Sequence, residues 1–358
     1  MTLDTQNSGP APSAPPPGDP HQRHHGESLP EVRSTVAIPG EGAGFWKNWR
    51  AFFGPALLVS VGYMDPGNWS TDLSAGAEYK YGLLWVVGLS SLMAIILQIC
   101  AAKLGVVTGK DLARASRDYF PKWTRVPNWL ATELAIAACD LAEVLGSAVA
   151  IHLLFHQISI LTGVFITTGD VLLLMALQGL GFRKIESLIL VLVATIAGCY
   201  AIELIMGNAQ SQAAEIGKAL ISPGFPEPRG GAEGSVALAI AIIGATVMPH
   251  NLYLHSALVQ TRKLQSNAAV VRRAIWFNGL DSVVALSLAF LVNAAILILA
   301  AVTFFGKTGL TFPGAHGEPT PIGDDWIQGA YMTLEPLLKS FWAPLLFAVA
   351  LLASGQSS

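Results

Sequence analysis

Asp65-Pro66-Gly67-Asn68 stands inside an apolar run that covers residues 52–77. A run of that length crosses the hydrocarbon core of a bilayer as a helix. Pro66 lacks a backbone donor and Gly67 loosens what remains, so the helix is expected to break here. Broken backbone at membrane depth survives only where protein or a wet cavity satisfies it. A carboxylate at that depth is costly unless it is neutralised or paired. A break, a carboxylate and an amide oxygen together read as a cation site. The alternative is a kinked helix in which Asp65 pairs with a basic residue of a neighbour.

A second stretch of the same kind follows. Residues 240–247 are apolar, then come Met248-Pro249-His250-Asn251 and Leu252-Tyr253-Leu254-His255. Laid over the first stretch, Pro249 falls on Pro66 and Asn251 on Asn68. Two interrupted spans at corresponding places in two halves point to a transporter's binding site.

The remaining sequence supports a membrane setting. Of 358 residues, 52% are hydrophobic and only 13% charged, against about a quarter charged in soluble chains. The apolar runs are too long for barrel strands, so the expectation is an all-α membrane protein. Residues 1–44 are polar and Pro-rich and read as a disordered cytoplasmic tail; residues 45–358 read as the transmembrane transporter domain. Spans are expected near residues 52–77, 83–102, 129–154, 158–180, 188–206, 235–259 and 275–305. An amphipathic piece at 326–338 precedes an eighth span that starts near residue 341. Lys and Arg cluster before the first span and after the second, fourth and sixth, which places the N-terminus in the cytoplasm. Five spans separate the broken helices, so the sixth is inverted relative to the first. The halves, about 45–206 and 235–358, then read as inverted repeats. A five-plus-five arrangement needs ten spans, so the second repeat reads as truncated, with its C-terminal spans missing. Cys100, Cys139 and Cys199 lie within apolar runs without metal-motif spacing and read as packing residues.

The residue types at the breaks narrow the chemistry. Asp65 and Asn68 alone suit Mg²⁺ or Ca²⁺. Met248 adds a thioether, a soft donor that favours Mn²⁺, Fe²⁺, Co²⁺ or Cd²⁺; the alternative is a gap-filling core methionine. Asp140 and Glu143 are three apart in the third span, and Glu133 is seven before Asp140. These carboxylates read as a proton relay or as a structural salt-bridge network. His250 and His255 titrate near neutrality and are candidates for the same path, although His255 also fits a satisfied core histidine.

The pair of motifs, Asp65-Pro66-Gly67-Asn68 with Met248-Pro249-His250-Asn251-Leu252-Tyr253-Leu254-His255, resembles the Nramp family of proton-coupled divalent metal transporters, over residues 46–358. The resemblance implies a LeuT-like helical bundle with discontinuous first and sixth helices at Pro66, Gly67 and Pro249. It implies uptake of Mn²⁺ or Fe²⁺ with protons, Co²⁺ and Cd²⁺ being further candidates. It implies metal ligands at Asp65, Asn68, Met248 and the Ala245 carbonyl, and a proton path through His250, Asp140, Glu143, Glu133 and His255. No prosthetic group and no nucleic-acid partner are expected, and the oligomeric state is left open. The expected location is the plasma (inner) membrane, with the lipid bilayer as partner. A Mg²⁺-transporting relative should replace Met248. A non-transporting membrane sensor should carry a large soluble C-terminal domain. An intramembrane enzyme lacks a nucleophile or base at the breaks.

Overall fold

The computed structural model describes residues 33–40, 42–177, 182–206, 209–227, 234–264, 267–306, 311–313, 319–321, 327 and 342–357. The first span is divided, as Pro66 and Gly67 require. A short helix α1 (Phe45–Phe52) leads into α2 (Pro55–Ser60), a 3-10 turn at Gly62–Met64, and then α3 (Pro66–Tyr79). The interruption lies just before Pro66 rather than at it. Asp65 is extended and Pro66 opens the next helix, the position where its missing donor costs nothing.

The second span is α4 (Leu84–Thr108), closed by Gly109 in the left-handed region with φ of 62°. The basic stretch after it holds a short helix, α5 (Leu112–Tyr119), capped by Asp111. Next come α6 (Arg125–Leu154), α7 (Ile160–Leu177) and α8 (Phe182–Met206). The polar connection before the sixth span contains α9 (Ala213–Ile221), which its Gly and Pro content had hidden. Lys80 holds it through Glu215 at 2.6 Å and Trp85 through the Gly224 carbonyl at 2.9 Å.

The sixth span is divided too, into α10 (Ser235–Thr246) and α11 (Pro249–Leu258), with Met248 extended between them. Pro249 again opens the second piece. Helix α12 (Ala268–Phe304) follows, then a two-stranded antiparallel hairpin, β1 (Thr311–Pro313) with β2 (Pro319–Pro321), and α13 (Trp342–Ser357). The hairpin is a small exception to the expected all-α chain. The expected amphipathic piece at 326–338 lies outside the described residues apart from residue 327.

Among the described residues, four stretches are long and apolar enough to cross a membrane: Leu84–Thr108, Lys122–Leu154, Ser235–Thr261 and Ala268–Phe304. The first, fourth, fifth and eighth expected spans carry shorter apolar helical runs among the described residues.

Helix α12 packs along α3 and α4, and α13 along α6 and α8. Trp69 of α3 anchors the core, edge-on to Tyr200 of α8 at 5.0 Å and to Phe347 of α13 at 5.5 Å. The α3–α12 seam depends on Gly76, where an added Cβ would meet the Leu297 carbonyl, the Ala300 methyl at 2.7 Å and the Ala301 nitrogen at 2.9 Å. Such contacts of small residues let membrane helices approach to backbone distance.

The polar tail ends earlier than its composition suggests. Its residues 1–32 lie outside the described residues, but 33–40 form an extended strap over the turn that follows α11. Ser34 N donates to Gln260 O at 3.0 Å, Val36 N to Thr261 O at 2.9 Å, and Lys263 N returns to Val36 O at 2.9 Å. Arg273 of α12 donates to the Pro39 and Gly40 carbonyls. Beneath the strap, buried Arg262 donates to the carbonyls of Ala51 at 3.2 Å and Phe53 at 2.8 Å, at the end of α1. Asp281 of α12 accepts from Gly54 N at 3.3 Å and Ala56 N at 3.0 Å, at the start of α2.

Candidate metal centre

The two breaks face each other. At Gly62 an added Cβ would lie 2.5 Å from Asn251 Nδ2, so the first break approaches the second as only glycine allows. Gly146 of α6 gives way in the same manner to the Pro66 ring. Backbone groups freed by the first break find new partners. Asn293 Nδ2 donates to Tyr63 O at 2.8 Å, Trp69 Nε1 donates to Met64 O at 3.1 Å, and the Ser354 hydroxyl also donates to Met64 O. The gap in the helix is therefore closed by side chains of three helices, as non-helical backbone at this depth demands.

Asp65 caps α3. Its Oδ1 accepts from Asn68 N at 2.9 Å and from Asn68 Nδ2 at 2.6 Å. Asn68 Nδ2 also donates to the Ala245 carbonyl across the gap, at 3.2 Å. Asn68 Oδ1 accepts from the Thr246 hydroxyl at 3.2 Å. Three of the four expected ligands, Asp65, Asn68 and Ala245, are thus joined in one hydrogen-bonded chain. The fourth, Met248, is buried, and its Sδ accepts from Asn251 Nδ2 at 3.5 Å. The Asn68 carbonyl oxygen is turned to Thr246, which the sequence reading had not anticipated.

Cys139 links Asp65 to Met248. Its Sγ stands 3.9 Å from Asp65 Oδ2 and 4.0 Å from Met248 Sδ. It also stands 3.6 Å from Oε1 of Glu143, one turn further along α6. Reading Cys139 as a packing residue was wrong: with Asp65, Gly67, Ala245, Met248 and His250 it lines a cavity of about 280 Å³. Its place one turn before Glu143 was the available signal.

His250 also lines a second, larger space of about 470 Å³, whose walls include Arg117, Arg125, Asn128, Trp129 and Tyr253. The residue sits where the inner cavity meets this vestibule. Of the three carboxylates on α6, only Glu143 reaches the cavity, through Cys139. Asp140 is exposed. Glu133 is exposed and accepts from Trp129 Nε1 at 2.9 Å beside the vestibule. His255 is not at the site. It is fully buried, with Nδ1 at 2.8 Å from Gln98 Oε1, and Gln98 Nε2 donates to the Tyr63 hydroxyl at 2.8 Å. This is the core-histidine alternative. Among the described residues no three His, Cys, Asp or Glu side chains already enclose a point where an ion could sit.

The family model for natural resistance-associated macrophage protein-like (Nramp) chains matches residues 56–358. The chain belongs to the Nramp family. Nramp relatives include a divalent metal cation transporter MntH of Ralstonia nicotianae, 49% identical over 338 residues, covering 92% of this chain and 70% of the relative. A MntH of Nostoc sp. is 46% identical over 331 residues, covering 92% and 71%. The crystal structure of an Eremococcus coleocola manganese transporter bound to an aromatic bis-isothiourea compound superposes with a TM-score of 0.79. It is 40% identical and covers 92% of this chain and 67% of the other. These Nramp relatives are named as transporters rather than enzymes.

Proposed function

We propose that this protein imports divalent transition-metal ions, Mn²⁺ or Fe²⁺, together with protons. The observation that carries the reading is the meeting of Asp65 and Met248, one from each broken helix, on either side of the Cys139 sulfur. A carboxylate and a thioether on one small cavity suit a borderline divalent ion better than Ca²⁺ or Mg²⁺. Retention of Met248 also argues against a dedicated Mg²⁺ carrier.

The Asn68 amide supplies a loading step. Its NH₂ group stands between Asp65 Oδ1 and the Ala245 carbonyl, donating to both. A half-turn of the amide replaces that donor by an oxygen and leaves three oxygens directed at one point. The displaced NH₂ then meets Thr246 Oγ1, which can accept as well as donate. The ion takes the place of the amide hydrogens, and Met248 closes the set from the second break. From there the ion leaves past His250 into the vestibule. Arg117 and Arg125 belong to the basic stretch that the charge distribution assigns to the cytoplasm. On this proposal the chain is a LeuT-like inverted-repeat bundle open toward the cytoplasm. Glu143, His250 and Asp140 are the groups positioned to carry a proton along the same route.

The test is Mn²⁺ uptake into proteoliposomes under an inward proton gradient. Wild-type protein accumulates Mn²⁺ and acidifies the lumen, and Asp65→Ala does neither. Uptake by Asp65→Ala equal to that of wild type defeats the proposal.

A further inference from the structure

We propose that Cys139 is a specificity-determining residue of this ion path, a second sulfur contact that makes soft ions of the Cd²⁺ class bind more tightly than Mn²⁺. The inference rests on the transport reading above. It goes beyond the ligands drawn from the two breaks, because Cys139 belongs to α6.

The separations around its Sγ decide the matter. Zn²⁺ bonds run at about 2.3 Å to sulfur and about 2.1 Å to carboxylate oxygen, and the larger Cd²⁺ takes somewhat longer ones. With those lengths, Sγ and Asp65 Oδ2 at 3.9 Å can share one ion at an included angle of about 125°. Sγ and Met248 Sδ at 4.0 Å can share it at about 120°. Both angles lie at or slightly above trigonal, so neither contact requires α3, α6 or α11 to move apart. The sulfur stands within ion-sharing distance of each member of the Asp65–Met248 pair, an added contact rather than a cage of its own. Bond formation releases the thiol proton, and Glu143 Oε1 at 3.6 Å is the acceptor in place.

The chemistry then separates the ions. Mn²⁺ stands lowest in the divalent series and gains little from sulfur, whereas thiolate is among the donors that soft ions prefer. One thioether and one thiol beside a carboxylate form a site from which Cd²⁺ leaves slowly. The other two cysteines are placed differently: Cys100 is exposed and Cys199 packs in the core beside Tyr200.

The experiment measures Cd²⁺ inhibition of Mn²⁺ uptake in proteoliposomes for wild type, Cys139→Ala and Cys139→Ser. In both variants the half-inhibiting Cd²⁺ concentration should rise about 10-fold or more, the scale of losing a metal contact, while the KM for Mn²⁺ moves far less. Equal shifts for the two ions, or an unchanged Cd²⁺ response, overturn the proposal. A second measurement needs no transport. In purified protein, mass spectrometry follows labelling of Cys139 by a small methanethiosulfonate, with Cys100 and Cys199 as internal controls. Cd²⁺ should protect Cys139 at concentrations well below those at which Mn²⁺ does. Equal protection by the two ions, or none, sinks the idea. Failure of wild-type protein to take up Mn²⁺ would instead overturn the transport reading, and the labelling result would still decide the role of the sulfur.

Discussion

The hold of Asp281 on the first half-helix can be put to a quantitative test. Helix α2 is six residues long, too short to persist without tertiary support. Pro55 has no N–H, so Gly54 and Ala56 supply the donors at its start, and both are directed at Asp281 Oδ2 at 3.3 and 3.0 Å. Asp281→Ala strands two buried donors, each worth about 1–3 kcal/mol, and removes a negative charge from the positive end of a helix. A total of about 3 kcal/mol is a conservative sum, or about two decades in a local opening equilibrium. Asp281→Asn keeps one acceptor in place and should cost about 1 kcal/mol. The assay is amide hydrogen exchange of residues 54–60 in detergent, followed by mass spectrometry. Protection there should fall about 100-fold in the Ala variant and several-fold in the Asn variant, with α4 as an unchanged reference. Unchanged protection of residues 54–60 in both variants would show that Asp281 is not what holds α2. Loss spread evenly over α4 would show global rather than local unfolding.

Other substitutions test other parts of the argument. Met248→Ala should let Ca²⁺ and Mg²⁺ compete more strongly with Mn²⁺ uptake, and overlaying competition curves would contradict the soft-donor reading. Gly76→Val drives side-chain atoms into the backbone of α12, at a cost of about 1–3 kcal/mol or more; a fall in the thermal midpoint in detergent checks it. Lys80→Met breaks a half-exposed pair with Glu215, so it should cost less than about 1 kcal/mol, barely move that midpoint and leave uptake unaltered. A large change there would mean that α9 is held by charge rather than by its contacts with α4.

Both breaks were legible because Pro, Gly and Asp cannot continue an apolar helix, and because each proline had to open the next piece. What could not be read was orientation. Helical periodicity put Glu133, Asp140 and Glu143 on one side of α6 but not which neighbour covers it. The structure turns only Glu143 towards the cavity, through Cys139. The sequence named Asn68 as a ligand, whereas the direction of its amide depends on Thr246 and Ala245, nearly 180 positions away in the chain. His255 kept its alternative for the same reason, since its partner Gln98 lies on a different helix. Asp281 went unnoticed, and Arg262 counted only as one of the basic residues after the sixth span. A buried charge that satisfies the backbone of a remote helix end leaves no local pattern.

The strap of residues 33–40 and the Arg262 side chain grip the same corner of the molecule from opposite sides. Arg262 follows α11 directly and holds the end of α1, and the strap is stitched to the residues on either side of it. The ends of both interrupted spans remote from the breaks therefore meet at one rivet. If either end swings, the other must travel with it, and the strap of residues 33–40 moves with both. A spectroscopic probe on residue 34 would register that movement without touching the breaks.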